Sequence, residues 1–270
     1  MLSLHHGDCL EVMKGIPDKS VNLIVCDLPY GCLTSDRKGK RVGPLKDPSD
    51  PNSNIIIVNK PCQWDIPIDL AAFWAQVRRI RKDDHTPTIH FCTTKFGYDL
   101  IRSNEKEFRY DLVWDKQRGV SFLSANKMPM RSHEMIYVFS KAGANYYRKD
   151  NVGDFPNSLV SKKVMERKTI TGQLVPKLLK DNTGKRCALS VINNINKYSN
   201  DRVNKQHPTE KPMELYRWLI ERYSKEGDTI LDPTFGSGNS VFAAVELGRN
   251  AIGIEKDKGF FDKANAAILE

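Results

Sequence analysis

The sequence predicts an α/β fold, a mainly parallel sheet covered by helices on both faces. Three observations predict it. Strand-like runs end in loops again and again, helix-like stretches separate several of them, and the composition suits a single core carrying an elaboration. The 270 residues are 40% apolar and 28% charged, too apolar for a disordered chain and without the long uncharged runs of a membrane chain.

Val21-Asn22-Leu23-Ile24-Val25-Cys26 reads as a buried strand running into Asp27-Leu28-Pro29-Tyr30-Gly31. The segment 33–60 is rich in Pro, Gly, Asp and Lys and reads as a long mobile loop, strand-like only from Ile55 to Val58. Leu70 to Arg81 has helical periodicity, and Thr88 to Cys92, Tyr110 to Trp114 and Met135 to Phe139 read as strands. After the irregular stretch 143–206 come a helix from Pro212 to Lys225, a strand from Thr229 to Leu231, and a helix from Ser240 to Leu247. A strand from Ala251 to Ile254 and a helix from Lys258 to Leu269 complete the series. No internal repeat is present.

Charge is unevenly placed. Residues 143–206 hold 13 Lys and Arg against five acids, a net +8 out of +9 for the whole chain. Localised positive charge favours a polyanion through counterion release and steering, although a solvated basic face would have the same composition. The six cysteines, at 9, 26, 32, 62, 92 and 187, lack zinc-type or redox-type spacing. They read as reduced thiols of a cytoplasmic protein without a metal site. The N-terminus lacks the charged-then-apolar signal pattern, and no apolar run approaches the roughly 18 residues that span a bilayer.

Near the C-terminus, Thr229-Ile230-Leu231-Asp232-Pro233-Thr234-Phe235-Gly236-Ser237-Gly238-Asn239-Ser240 reads as a strand, a turn with two glycines and a helix start. Gly236 and Gly238 let the backbone approach a ligand. Glu255 ends the following strand with a carboxylate able to accept from both hydroxyls of a ribose. The arrangement suits a nucleoside. A dinucleotide fingerprint needs a third glycine where Val241 stands, and no Lys-Ser/Thr pair follows for a phosphate loop.

In an open α/β sheet, ligands bind beyond the carboxyl ends of the strands, which is where Asp27-Leu28-Pro29-Tyr30 falls. Asp27 and the main chain held by Pro29 can accept hydrogen bonds from an amino group, and Tyr30 offers a flat face to a base. An ordinary Pro-containing turn would look the same in isolation.

Taken in this order, the two motifs resemble the amino-methyltransferases of DNA, in the permuted group called beta. There a catalytic Asp-Pro-Pro-Tyr motif comes first, the target-recognition region follows, and the Phe-x-Gly-x-Gly cofactor motif is last. The resemblance spans most of the chain. Gly7-Asp8-Cys9 stands in the family's place for contacting the cofactor's adenine. Val113-Trp114-Asp115-Lys116 and Pro129-Met130-Arg131-Ser132-His133-Glu134 resemble later strands and their connecting turn. His207-Pro208-Thr209-Glu210-Lys211-Pro212 resembles the hexapeptide against the methionine end of the cofactor.

The resemblance implies a Rossmann-like methyltransferase fold, with a mostly parallel seven-stranded sheet, one antiparallel strand and circularly permuted motif order. The catalytic domain would comprise 1–142 and 207–270, with an insertion at 33–60 and target recognition in 143–206. Asp27, Pro29 and Tyr30 would be catalytic. S-adenosyl-L-methionine would be held by Asp8, Cys9, Asp27, His207, Thr209, Lys211, Asp232, Pro233, Phe235, Gly236, Gly238, Asn239 and Glu255. Double-stranded DNA would meet Arg148, Lys149, Lys162, Lys163, Arg167, Lys168, Lys185 and Arg186. Family members often pair as dimers, so the resemblance allows a homodimer and a cognate restriction endonuclease as partners.

The implied reaction is methylation of the exocyclic N6 amine of a flipped-out adenine, the base that relatives with Asp at the head of the tetrad mostly modify. Two departures stand out. Leu28 replaces the first proline of the tetrad, and the segment 33–60 separates it from Trp64-Asp65. Pro61-Cys62-Gln63 resembles the nucleophile of carbon-5 cytosine methyltransferases, but the accompanying Glu-Asn-Val string is missing and the cofactor motif lies at the wrong end. The N4 amine of cytosine, an RNA or protein amine, a nucleotide-dependent dehydrogenase and a nonenzymatic DNA-binding protein with a residual cofactor pocket remain alternatives. The reading requires the two ends of the chain to share one cleft.

Overall fold

The computed structural model describes residues 1–31, 66–120, 122, 125–149, 187–196 and 210–268, and the backbone of 45–47, 50–55, 151–152 and 185–186. The elements are, in order, β1 (Leu2–His6), α1 (Cys9–Met13), β2 (Leu23–Cys26), β3 (Leu45–Asp47), β4 (Asp50–Ile55), α2 (Leu70–Ile80), β5 (Thr88–Cys92) and α3 (Thr94–Ser103). Then come β6 (Phe108–Val120), β7 (Arg131–Phe139), β8 (Asn151–Val152), β9 (Lys185–Arg186), β10 (Val191–Ile192), α4 (Met213–Tyr223), β11 (Thr229–Asp232), α5 (Asn239–Glu246), β12 (Asn250–Glu255) and α6 (Lys258–Ala266). They form two compact units, 1–146 with 190–270, and 147–189.

The first unit carries a sheet of order β1-β12-β11-β2-β5-β7-β6-β10. Every adjacent pair is parallel except those made by β7, which runs against both β5 and β6. The single antiparallel strand agrees with expectation. The eighth strand, β10, is a two-residue addition beside Val113 and Trp114 of β6. Residues 190–196 group with the first unit.

β5 shows how the sheet is covered on both sides. His90 packs against Phe73 and Trp74 of α2, whereas its neighbour Phe91 meets Tyr216 of α4 at 5.6 Å between ring centroids. Successive strand residues face opposite ways, so the two helices lie on opposite faces. Strands buried on both faces need unbroken apolar runs, as Leu23-Ile24-Val25-Cys26 provides. Helix starts are fixed locally: Asp8, Asp69, Thr93 and Asp257 each accept a main-chain N–H from the first turn they precede.

β6 and β7 run longer than their apolar cores suggest. Beyond Cys92, which pairs with Met135, β5 ends, yet β6 and β7 continue pairing to Val120 and Arg131. The polar extension is supported by its own ladder. α3 is hidden in the sequence, because Gly97 in its middle weakens the helical signal. Packing demands that glycine: a Cβ there would lie 2.6 Å from the Tyr137 ring. Within the segment expected to be a loop, β3 and β4 form an antiparallel pair ending at Ile55; residues 56–58, expected as strand, lie outside the described residues.

The second unit contains the antiparallel pair β8–β9. Among the described residues, no helix is long and apolar enough to cross a membrane. Cys9, Cys26 and Cys92 are buried free thiols and Cys187 is an exposed one.

Candidate active site

The chain leaves the sheet centre in opposite directions from β11 and β2, so a crevice opens beyond their carboxyl ends. Asp232 ends β11, and Asp27 follows β2. The outer strands bring the chain's two ends together: Leu2 to His6 pair with Ala251 to Glu255, and the N-terminal ammonium donates to Asn250 Oδ1 at 3.0 Å. Gly7, Asp27 and Glu255 consequently line one cleft of about 750 Å³. That lies within the roughly 300–1,000 Å³ of small-molecule sites.

Leu28 is 1% exposed and belongs to the apolar core, so an apolar side chain at this position is accommodated by burial. Asp27 and Tyr30 flank it at the cleft. The chain turns at Gly31, whose φ of +64° and 2.5 Å clearance from Pro67 Cγ both exclude a side chain. Tyr30 donates its hydroxyl to Asp27 Oδ1 at 2.6 Å and rests its ring on Phe96 at 5.1 Å. Burial, reinforced by the carboxylates of Asp27 and Glu134, pushes the Tyr30 phenol well above its usual range, so it stays a donor.

The other oxygen of Asp27 is held by a residue far along the chain. Lys211 Nζ donates to Asp27 Oδ2 at 2.6 Å and lies 3.2 Å from Glu134 Oε1. Lys116 Nζ lies 3.2 Å from Glu134 Oε2, and Tyr30 also reaches Glu134 Oε1 at 3.4 Å. Two carboxylates and two ammoniums thus alternate along one wall of the cleft. Burial alone would discharge both Lys211 and Glu134. Instead Asp27 and Glu134 raise the Lys211 pKa, and Lys211 with Lys116 lowers that of Glu134, so both stay charged.

Also lining the cleft, Gly236 at φ +56° directs its N–H to Glu255 Oε2 at 2.9 Å, while the Asp257 N–H takes Oε1 at 2.7 Å. Each Glu255 oxygen retains acceptor capacity, giving two acceptors for two neighbouring hydroxyls. Gly238 sits at φ +88°, where a Cβ would also strike Phe242 at 2.6 Å. Asp232 lies beneath the turn, accepting from the Ser240 hydroxyl and, at 2.9 Å, from the Thr234 N–H. Burial outweighs both bonds and pushes its carboxyl up to about 7. Asp8 pairs with Lys256 at 3.1 Å; burial opposes its ionisation, but Lys256 and the Leu10 N–H lower its pKa. Cys9 next to it is a buried thiol pushed up to about 11, so it is a neutral wall and no nucleophile.

Of the expected cofactor residues, Asp8, Cys9, Asp27, Lys211, Pro233, Phe235, Gly236 and Glu255 line the cleft, as do the expected catalytic Pro29 and Tyr30. Asp232, Gly238 and Asn239 support it from behind. Asn239 ties the two motifs together, its Nδ2 donating to Glu210 Oε1 at 2.7 Å and Lys211 O at 2.8 Å. His207 and Thr209 lie outside the described residues, as do Lys162, Lys163, Arg167 and Lys168. Arg148 and Lys149 are exposed in the second unit, and of Lys185 and Arg186 only the strand backbone is described.

Nothing in the sequence alone gives Glu134 and Lys116 a role. Both stood in recognised strings, but the pairing of Trp114 with Glu134, which brings them to one wall, is a matter of strand register. A second omission is the free end of the β6–β7 hairpin. Residues 116–133 include Lys116, Arg118, Lys127 and Arg131 and no acid, and Phe122, 79% exposed, stands among them. This end projects from the same edge of the sheet as the tetrad.

Comparison with known proteins gives a consistent picture. A profile of the N6/N4 DNA methylases matches residues 21–266. The chain is 26% identical to the type II methyltransferase M.HinfI of Haemophilus influenzae, over 98% of this chain and 67% of that protein. It is 25% identical to the type II methyltransferase M2.MboI of Moraxella bovis, over 96% of this chain and 85% of the other. Two solved structures share the fold. M1.HpyAVI in complex with SAM superposes with a TM-score of 0.59 at 19% identity over the whole of both chains. The cytosine-N4-specific PvuII DNA methyltransferase gives 0.64 at 15% identity, over all of this chain and 86% of that one.

Proposed function

The chain belongs to the N6/N4 DNA methylase family, whose profile covers residues 21–266, and from that premise we propose that it methylates the exocyclic N6 amine of adenine in double-stranded DNA. The methyl donor is S-adenosyl-L-methionine, and the target nucleotide is turned out of the helix. One observation supports this reading most. The carboxylate of Asp27, gripped by Tyr30 and Lys211, opens into the same cleft as the Gly236 turn and Glu255.

The residues fit the donor. Glu255 offers two acceptors to the ribose hydroxyls, Asp8 and Cys9 border the cleft for the adenine, and the buried acid Asp232 supports the turn on which the cationic amino-acid end would rest. When bound, S-adenosyl-L-methionine supplies an electrophilic methyl group.

The protein's part is positioning and electrostatics. Asp27 and the main chain at Pro29 accept hydrogen bonds from the amine, drawing its lone pair out of ring conjugation towards the methyl carbon. The nitrogen would take the methyl group as the donor's carbon–sulfur bond breaks, gaining positive charge that the Asp27 carboxylate stabilises, and would afterwards release a proton to solvent. Asp27 acts as an orienting acceptor, because the neutral amine attacks through its own lone pair and need not lose a proton beforehand. Tyr30 gives the everted base a ring to lie on. Turning the base out requires a few kcal/mol, offset by groove contacts and stacking.

The basic stretch 143–206 serves target recognition, and the acid-free end of the β6–β7 hairpin adds positive charge beside the cleft. Adenine is preferred over cytosine because Asp27 heads the tetrad, as in the relatives that mostly modify adenine. Mass spectrometry of nucleosides from DNA treated with protein and donor tests the reading. N6-methyladenine is the expected product. N4-methylcytosine would move the assignment to the other amine, and carbon-5 methylcytosine or no methylation would overturn it.

A further inference from the structure

We infer that Glu134 is a positioning residue for methyl transfer, the counter-ion that lets Lys211 orient Asp27 without cancelling its negative charge. The inference rests on the amine-methylation reading of the cleft.

A carboxylate that stabilises a developing cation needs two things that conflict. It must be held still, which a buried ammonium does well. It must also keep its field, which the same ammonium removes. Lys211 holds Asp27 Oδ2 at 2.6 Å and is only 5% exposed, so solvent screens the pair little. If those two groups were alone, the wall facing the amine would be close to neutral, and the ammonium would oppose positive charge arriving on the base.

Glu134 resolves the conflict by geometry. Its Oε1 lies 3.2 Å from the same ammonium, so Lys211 is shared between two carboxylates. Its Oε2 is taken by Lys116 at 3.2 Å, and that ammonium lies on the far side of Glu134 from Asp27 in the chain of contacts. Tyr30 bridges the two acids, donating to Asp27 Oδ1 at 2.6 Å and reaching Glu134 Oε1 at 3.4 Å. The alternating row Asp27, Lys211, Glu134, Lys116 has no net charge as a whole, so it is tolerable when buried. Its end towards the tetrad is nevertheless rich in carboxylate. The four residues come from the loop after β2, the segment leading into α4, and the adjoining strands β7 and β6.

The test is steady-state methylation by the full chain on DNA it is shown to modify. Glu134→Gln keeps the shape and removes the charge. Its kcat should fall about a hundredfold, as when one preorganised group facing developing charge is lost, while the cofactor Kd by calorimetry stays unchanged. Adding Lys116→Met removes the ammonium left in excess, and the double variant should regain part of the lost kcat. A role in shape alone predicts the reverse, with the second change lowering activity further. Full kcat in Glu134→Gln, or no recovery in the double variant, overturns the inference. Should Glu134→Gln not fold, Glu134→Asp decides: retained charge should preserve most of kcat, and a loss of about a hundredfold overturns the inference. Wild-type failure to methylate any DNA would instead sink the reading of the cleft itself, so the two failures are distinguishable.

Discussion

Lys211 and Asp27 meet at 2.6 Å although 184 positions separate them, and the contact joins the strand-end tetrad to the segment preceding α4. Lys211 is almost wholly buried, and its ammonium also lies 5.1 Å over the Phe91 ring. Removing it leaves Asp27 and Glu134 competing without a shared cation. Lys211→Met should therefore destabilise the protein by about 3–5 kcal/mol, the usual consequence of breaking a buried pair from one side. Urea denaturation measures it; a change under 1 kcal/mol would mean that the pair is solvated.

Asp27 itself is partly open to the cleft, so its loss should act on chemistry more than on folding. Asp27→Ala is expected to retain S-adenosyl-L-methionine binding and to transfer no methyl group. Calorimetry paired with a turnover assay checks both halves, and wild-type turnover in the variant would refute the assigned role.

Gly97 sets two rules against each other. Helix propensity favours Ala over Gly by up to about 1 kcal/mol in a helix interior. The Cβ, however, would lie 2.6 Å from the Tyr137 ring, which is itself packed against Phe108. Overpacking typically costs about 1–3 kcal/mol, so packing wins and Gly97→Ala should lower stability. A higher denaturation midpoint in that variant would show that the ring moves aside freely.

The same residue marks the limit of what the sequence discloses. Period and composition locate β2, β5, α2 and α4, because a strand buried on both faces must be apolar throughout and an amphipathic helix must repeat its apolar face. They miss α3, since Gly97 weakens the local signal for a reason that lies in a partner 40 positions away. The tetrad, the Gly236 turn and Glu255 are legible because each chemistry needs particular residue types at a strand end. Glu134 and Lys116 are not, because their meaning comes from the register of β6 against β7 and from Lys211 arriving from another segment.

His90 and Asp232 make a final pair of predictions, because their pH effects oppose each other. His90 is fully buried among Phe73, Trp74 and Phe139, and neither ring nitrogen has a hydrogen-bond partner among the described residues. Burial lowers its pKa to about 3. A depressed pKa means that the unfolded chain takes up the proton first, so this contribution is complete above about pH 6.5 and is lost as pH falls towards 3. Asp232 behaves oppositely. Its folded pKa, raised by burial to about 7, gives a contribution present below about pH 3.8 and lost as pH rises through 7. Between about pH 4 and 6.5 the two slopes offset each other. Asp232→Asn should expose the His90 slope, with stability falling on acidification by up to about 1.4 kcal/mol per pH unit. His90→Leu should do the reverse and, by removing two unsatisfied polar atoms, raise stability at pH 6 by about 1–3 kcal/mol. On the donor reading, a cation bound near Asp232 favours the ionised acid, so affinity for S-adenosyl-L-methionine should tighten as pH rises through 7 in the wild type and stay flat in Asp232→Asn. Calorimetry at pH 6 and pH 8 compares them, and equal pH dependence in both proteins would place the donor's charge elsewhere.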